Sequence, residues 1–169
     1  MAKRILNMTA EEMTHATKSE LIEAIAGSEG RVLASETIGI TIPLLTDVTN
    51  AEFAASMGAD LILLNMFDVQ EPKIMALPEV EKEETVREVK RLTGRMVGIN
   101  LEPVEESYAS DNKETLWEMS AGRYATVENA IQAQKMGVDL IVLTGNPGNG
   151  VSNPAIISSL KAISEAVGE

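Results

Sequence analysis

One stretch of this sequence occurs twice. Asn50-Ala51 through Met57-Gly58-Ala59-Asp60-Leu61-Ile62-Leu63-Leu64 returns without a gap as Asn129-Ala130 through Met136-Gly137-Val138-Asp139-Leu140-Ile141-Val142-Leu143. Each copy reads as a helix, a glycine stop and a near-continuous apolar run, the pattern of a strand buried on both faces of a parallel sheet. A further helix and strand lie between the copies, so the echo equates units that stand two apart. Paired units repeating in this way are what a (βα)8 barrel built by duplication shows. A whole barrel takes about 250 residues, and this chain has 169, enough for half. The expected fold is α/β: the (βα)4 half of a TIM barrel with parallel strands, in a single domain. Residues 1–28 form an N-terminal helical segment and 29–169 the four βα units. An unclosed half-barrel leaves two strand edges and an inner face open. The expectation is that two copies associate through those edges, or that the chain is part of a longer protein; an open, flat four-stranded sheet is the structural alternative.

The rest of the chain fits this order. Thr9 with Glu12, Thr17 with Glu20 and Thr49 with Glu52 have capping-box spacing, which predicts two short helices over 9–27 and one ending at Gly58. Gly27 is the expected left-handed stop of the second. Strands are expected at 31–36, 60–66, 96–101 and 140–143. A helix over 79–93 carries Val80, Val86, Val89 and Leu92 on one side and stops at Gly94. The connection 37–48 is unusually apolar, with Ile38, Ile40, Ile42, Leu44 and Leu45, and is expected to pack against something. Residues 102–125 are long for a structureless connection; they hold Trp117, Tyr108 and Tyr124, and read as a lid or a mobile segment with a short helix over 115–119. Asn153 and Pro154 open a last helix, with Ile156, Ile157, Leu160, Ile163 and Val167 as its stripe.

Charge and composition narrow the partners. A net charge of −12 gives no basic field for nucleic acid or an anionic membrane. No apolar run approaches the ~20 residues of a membrane span, and a soluble cytoplasmic protein is expected. The chain contains no cysteine, which removes disulfides, thiolate metal sites and cysteine nucleophiles.

In α/β barrels ligands sit beyond the C-terminal strand ends. The polar residues there are Glu36, Asn65 with Asp68, Asn100 with Glu102, and Thr144 with Asn146; the echo aligns Asn65 with Thr144, placing both on one rim. Glu36, Asp68 and Glu102 can converge on Mg²⁺ or divide into a general acid and base. Alternatively each is solvated or caps a loop amide. The loop Gly145-Asn146-Pro147-Gly148-Asn149-Gly150 precedes a helix N-terminus and can cradle an anion through backbone N–H groups, or it is a glycine turn without a ligand. No lysine follows Gly150, so nucleoside triphosphate hydrolysis is not expected. Arg123 and Lys113 can reach an anion from the long connection. His15, alone near a helix end, reads as a solvated histidine.

Several strings carry a resemblance. Glu29-Gly30-Arg31, Ile38-Gly39-Ile40-Thr41, Asp60-Leu61-Ile62-Leu63-Leu64-Asn65-Met66-Phe67-Asp68-Val69, Val97-Gly98-Ile99-Asn100-Leu101-Glu102-Pro103 and Leu143-Thr144-Gly145-Asn146-Pro147-Gly148 together resemble an uncharacterised family of bacterial TIM-barrel proteins. That family is loosely labelled phosphoenolpyruvate phosphonomutase-like or haloacid-dehalogenase-like. The resemblance covers essentially the whole chain and implies a barrel that continues past its last residue. Neither labelled activity transfers: the Asp-x-Asp pair of the dehalogenase group and the cysteine-containing loop of the phosphonomutase group are both missing. The functional expectation is a small anionic, carboxylated or phosphorylated metabolite bound at the strand C-termini, with Mg²⁺ as a candidate cofactor and a lyase or mutase reaction. Asn65, Asn100, Thr144, Gly145, Asn146 and Gly148 would bind it. The competing class is a non-catalytic half-barrel that works through self-association.

Overall fold

The computed structural model describes residues 3–105, 119–145 and 150–167. After a short 3-10 turn at Ile5–Asn7 come α1 (Ala10–His15), α2 (Lys18–Ala26), β1 (Ala34–Ile38), α3 (Asn50–Ser56), β2 (Leu61–Asn65), α4 (Thr85–Thr93), β3 (Met96–Leu101), α5 (Val127–Lys135), β4 (Leu140–Leu143) and α6 (Asn153–Val167). The four strands pair in parallel in sequence order, β1-β2-β3-β4, and the sheet is not closed. Strand, helix, strand in this order gives the α/β architecture of a (βα)4 half-barrel.

Strand alternation sorts the core into two layers. Ile62, Leu64, Val97, Ile99 and Leu101 face the helical layer, where they cluster with Val86 and Val89 of α4 and with Ala133 and Met136 at the end of α5. Leu61 and Met96 point the other way and join Ile5, Met13 and Ala24 of the N-terminal segment, with Leu63 and Leu140 beside them. The segment from Ile5 to Ala24 thus covers the N-terminal end of the inner face. Gly98 lies on that face too; a Cβ there would stand 2.6 Å from Leu140 Cγ, so the missing side chain makes room for the leucine.

All three expected capping boxes are formed, at Thr9, Thr17 and Thr49. Gly58, Gly94 and Gly137 have the positive φ of helix stops. Four boundaries differ from the sequence reading. Gly27 is right-handed, and the left-handed residues come later, at Glu29 and Gly30. β1 starts at Ala34 instead of 31, because the Leu33 backbone is taken up by Asp60, whose carboxylate accepts the Leu33 N–H at 2.8 Å. Residues 79–81 are not helical: a 3-10 turn at Lys82–Glu84 precedes α4, and no side chain caps either. The last helix is capped by Ser152, whose hydroxyl accepts the Ala155 N–H, and not by Asn153. The apolar connection after β1 also departs from expectation, since Ile42 is 85% exposed and Leu44 71%.

The echo has a structural cause. Asp60 and Asp139 each place a carboxylate at the start of the neighbouring strand, Asp60 on Leu33 N and Asp139 on Val97 N, both at 2.8 Å. Their own amides donate to the carbonyls of the same two residues. Asp139 makes one bond more, a 2.7 Å ion pair with Lys90 that is mostly shielded from solvent. Removing its carboxylate leaves a shielded cation without its counter-ion and a strand N–H without its acceptor. Asp139→Ala should therefore cost about 2–4 kcal/mol in urea unfolding; a loss below about 0.5 kcal/mol, the range of neutral surface changes, would show that the aspartate does not brace the strands.

Candidate functional site

The inner face changes character along its length. At the N-terminal end it presents Leu61, Met96 and Leu140, covered by α1 and α2. Towards the C-terminal end the same alternation brings up Glu36, Asn65, Asn100, Glu102 and Thr144. Asn100 is only 7% exposed, and its Nδ2 donates to Glu36 Oε1 across the sheet at 2.9 Å. That bond orients the amide, because only the NH₂ group can donate to a carboxylate. The carbonyl oxygen is left buried with no hydrogen-bond partner, and so is the Thr144 hydroxyl. A buried acceptor without a donor costs about 1–3 kcal/mol, so two such atoms on one rim need a reason. Asn65 closes β2 half-buried on the same face.

Glu102 has a different setting. β2 ends in the left-handed Met66, and the segment around Tyr124 takes its place beside the extension of β3. Glu102 N donates to Arg123 O, and Ala125 N donates to Glu102 O, both at 2.9 Å. The buried Glu102 side chain, 6% exposed, then meets Arg123 Nη2 at 2.7 Å. Arg123, expected as a possible anion ligand, therefore first neutralises a buried carboxylate.

Asp68 is a brace for the same segment. Its Oδ1 accepts the Gln70 and Glu71 amides at 2.7 and 2.9 Å. Gly122 packs so closely that a Cβ there would lie 1.8 Å from Asp68 Oδ1. Burial pushes the carboxyl up, but hydrogen bonds from Ser120, Glu71 and Gln70 and the nearby Arg123 charge outweigh it and hold the group below the ordinary aspartate range. The three carboxylates thus divide: Glu36 goes with Asn100, while Glu102 and Asp68 share Arg123. Among the described residues no three acidic, histidine or cysteine side chains form a group that could hold a metal ion, so a hard cation at Glu36 would draw its other ligands from amide, hydroxyl or water oxygens.

Sequence reasoning missed Asn129. It is buried, donates to the carbonyls of Ala121 and Tyr124 at 2.8 and 2.9 Å, and accepts from Gln70 Nε2 at 3.1 Å. It fixes the segment that carries Arg123. The echo held the signal: its counterpart Asn50 ties down the loop before α3 by accepting the Leu44 N–H. At the start of α6, Gly150 O accepts the Glu105 N–H, and the Ser152 hydroxyl donates to the Glu105 carboxylate. The chain therefore sets a carboxylate of its own beside that helix start. Gly145 is exposed, and a Cβ on it would make only ordinary contacts. Asn146 and Gly148 lie outside the described residues, as do Lys113, Tyr108, Trp117 and the helix expected over 115–119. His15 Nδ1 lies 2.9 Å from the Glu11 carbonyl oxygen, away from the rim.

Residues 6–169 match the model of a family described as Domain of unknown function (DUF7916). No curated protein and no solved structure matches the chain. No helix among the described residues is long and apolar enough to cross a membrane.

The Asp68 brace predicts an acid-sensitive rim. Because the folded carboxyl ionises at lower pH than the unfolded one, near 3.9, the unfolded chain holds the extra proton. The stabilisation is complete above about pH 5 and is lost as pH falls through the folded value. Asp68→Asn should remove about 1 kcal/mol at neutral pH, discounted for partial exposure, and flatten this acid limb in pH-dependent unfolding. An unchanged limb would exclude Asp68 as its source.

Proposed function

We propose a ligand-binding role at this rim for the chain, which belongs to the DUF7916 family. The ligand is a small metabolite that carries a carboxylate or phosphate and at least one hydroxyl or amino donor. It sits beyond the C-terminal ends of β1, β3 and β4. The observation that carries this reading is the Asn100 carbonyl oxygen, buried, oriented by Glu36 and without a donor. Buried polar groups without partners are expected where a ligand supplies the missing bond. Thr144 adds a second such atom, and the exposed Glu36 carboxylate has acceptor capacity beyond the one bond from Asn100. These groups ask for donors. The anionic end of the ligand falls to Arg123, whose five N–H donors are not exhausted by one bond to Glu102.

Glu36 is the candidate proton-transfer group, since Glu102 and Asp68 are engaged in holding the rim. A lyase or mutase reaction beside the anionic group suits this arrangement at the level of fold analogy; in a metal-assisted form Glu36 would hold a Mg²⁺ ion, which would supply Lewis-acid stabilisation of developing negative charge. Gly145 would line the far side. We place the protein in the cytoplasm and take it to act as a homo-oligomer, because apolar residues stay open along both sheet edges.

The test separates binding from folding. Asn100→Leu removes the orphaned carbonyl and should leave stability within about 1 kcal/mol of the parent, or raise it, because a partnerless polar atom is exchanged for an apolar one. The same change should weaken any hydroxycarboxylate or phosphate ester found by thermal-shift screening by at least about tenfold, or 1.4 kcal/mol, and Glu36→Gln should do likewise. Binding that survives both substitutions, or a screen with no binder, would contradict the reading.

A further inference from the structure

Two acceptors stand side by side on the inner face, and they differ in charge. Asn100 Nδ2 donates to Glu36 Oε1 at 2.9 Å, so the carbonyl oxygen of the same amide lies no more than about 5 Å from that carboxylate. The carbonyl oxygen is buried and has no donor. Glu36 takes its side-chain hydrogen bond from a neutral amide, and among the described residues no cation pairs with it. Between the two strands runs β2, which ends in the half-buried Asn65.

This pair discriminates between donors. A ligand hydroxyl has one hydrogen to give and can answer one of the two acceptors. A primary ammonium has three, and it brings the positive charge that the neutral amide does not supply. Its bonds to a carboxylate are charge-assisted, roughly twice as strong as neutral ones. One nitrogen donating at about 2.9 Å spans two acceptors about 5 Å apart. A divalent cation matches less well, because the pair offers one carboxylate and no three acidic, histidine or cysteine side chains gather among the described residues.

The cation at the other end of the rim sets the length of the ligand. Arg123 pairs with Glu102, which follows Asn100 by two residues, about 7 Å along the chain. An ammonium and an anion on neighbouring carbons, as in an α-amino acid, are too close together to meet both ends. We propose that the rim binds an amine: Glu36 and the Asn100 carbonyl hold a primary ammonium, and an anion at the far end of a short carbon chain meets Arg123. The proposal rests on the ligand-binding reading of this rim and names the ligand class. That class is an ω-amino acid or the phosphate monoester of a small amino alcohol.

Calorimetric titration with matched pairs tests it. γ-Aminobutyrate is compared with γ-hydroxybutyrate, and O-phosphoethanolamine with ethylene glycol monophosphate; each pair differs by an amine against a hydroxyl. In at least one pair the amine should bind at least about tenfold tighter, and the pair that shows it tells whether the anion is a carboxylate or a phosphate. Glu36→Gln keeps an acceptor for the Asn100 NH₂ group and removes the charge, so it should cut that preference below about threefold with an unchanged melting temperature. The wild-type comparison stands without any variant. Equal binding of amine and hydroxyl would overturn the ammonium and leave the rim reading in place. A preference that survives Glu36→Gln would overturn the role of Glu36 in holding it. Binding of Mg²⁺ alone that Glu36→Gln abolishes, with no preference for the amine, would assign the pair to a metal ion and overturn the proposal. No binding by any of the four compounds would overturn it as well, and the rim reading falls with it only if the wider screen is also empty.

Discussion

A parallel sheet is normally covered on both faces, and in this chain that cover is complete only at the centre of the sheet. Every residue of β3 is buried, with helices on one side and the N-terminal segment on the other. β2 is nearly as well enclosed, while β1 and β4, the outer strands, are half-exposed. The gradient from centre to edge decides where stability lies, and it also decides where a polar site can exist.

That site is a consequence of how the inner face is divided. α1 and α2 cover its N-terminal end with Ile5, Met13 and Ala24, so strand alternation is free to bring polar residues to the other end. Asn100, near the end of the best-buried strand, and Glu102, just beyond it, are answered differently. Glu102 receives a cation and backbone partners from residues 123–125. Asn100 receives an acceptor for its NH₂ group and nothing for its carbonyl. Beside a Glu102 with a cation and backbone partners, the unanswered carbonyl is the feature on which the proposed ligand site rests.

Local chemistry was legible in the sequence, and long-range partnership was not. The threonine–glutamate spacings identified three helix starts because a capping box is complete within four residues. The echo identified the parallel half-barrel because Asp60 and Asp139, with their preceding glycines, repeat one way of entering a strand. The partner of Glu102, by contrast, comes from 21 positions away and depends on β2 leaving the sheet at Met66, a left-handed turn that no glycine advertises. The convergence expected of Glu36, Asp68 and Glu102 depended on loop geometry in the same way, and Asp68 spends its oxygen on the amides of its own loop. The start of β1 was misplaced because Leu33 is held from outside the strand, by Asp60. The connection 37–48 looked like packing material to sequence reasoning, and its Ile40, Ile42, Leu44 and Leu45 are exposed.

The central claim is that the unanswered Asn100 carbonyl marks a ligand site at the C-terminal rim of the sheet. Chemical-shift mapping by NMR with a hydroxycarboxylate or phosphate ester that binds the chain tests it most directly. The account predicts that the shifts concentrate at Glu36, Asn65, Asn100, Arg123 and Thr144 and leave the N-terminal end of the inner face, at Leu61 and Met96, unmoved. Shifts confined to residues away from the rim would contradict it.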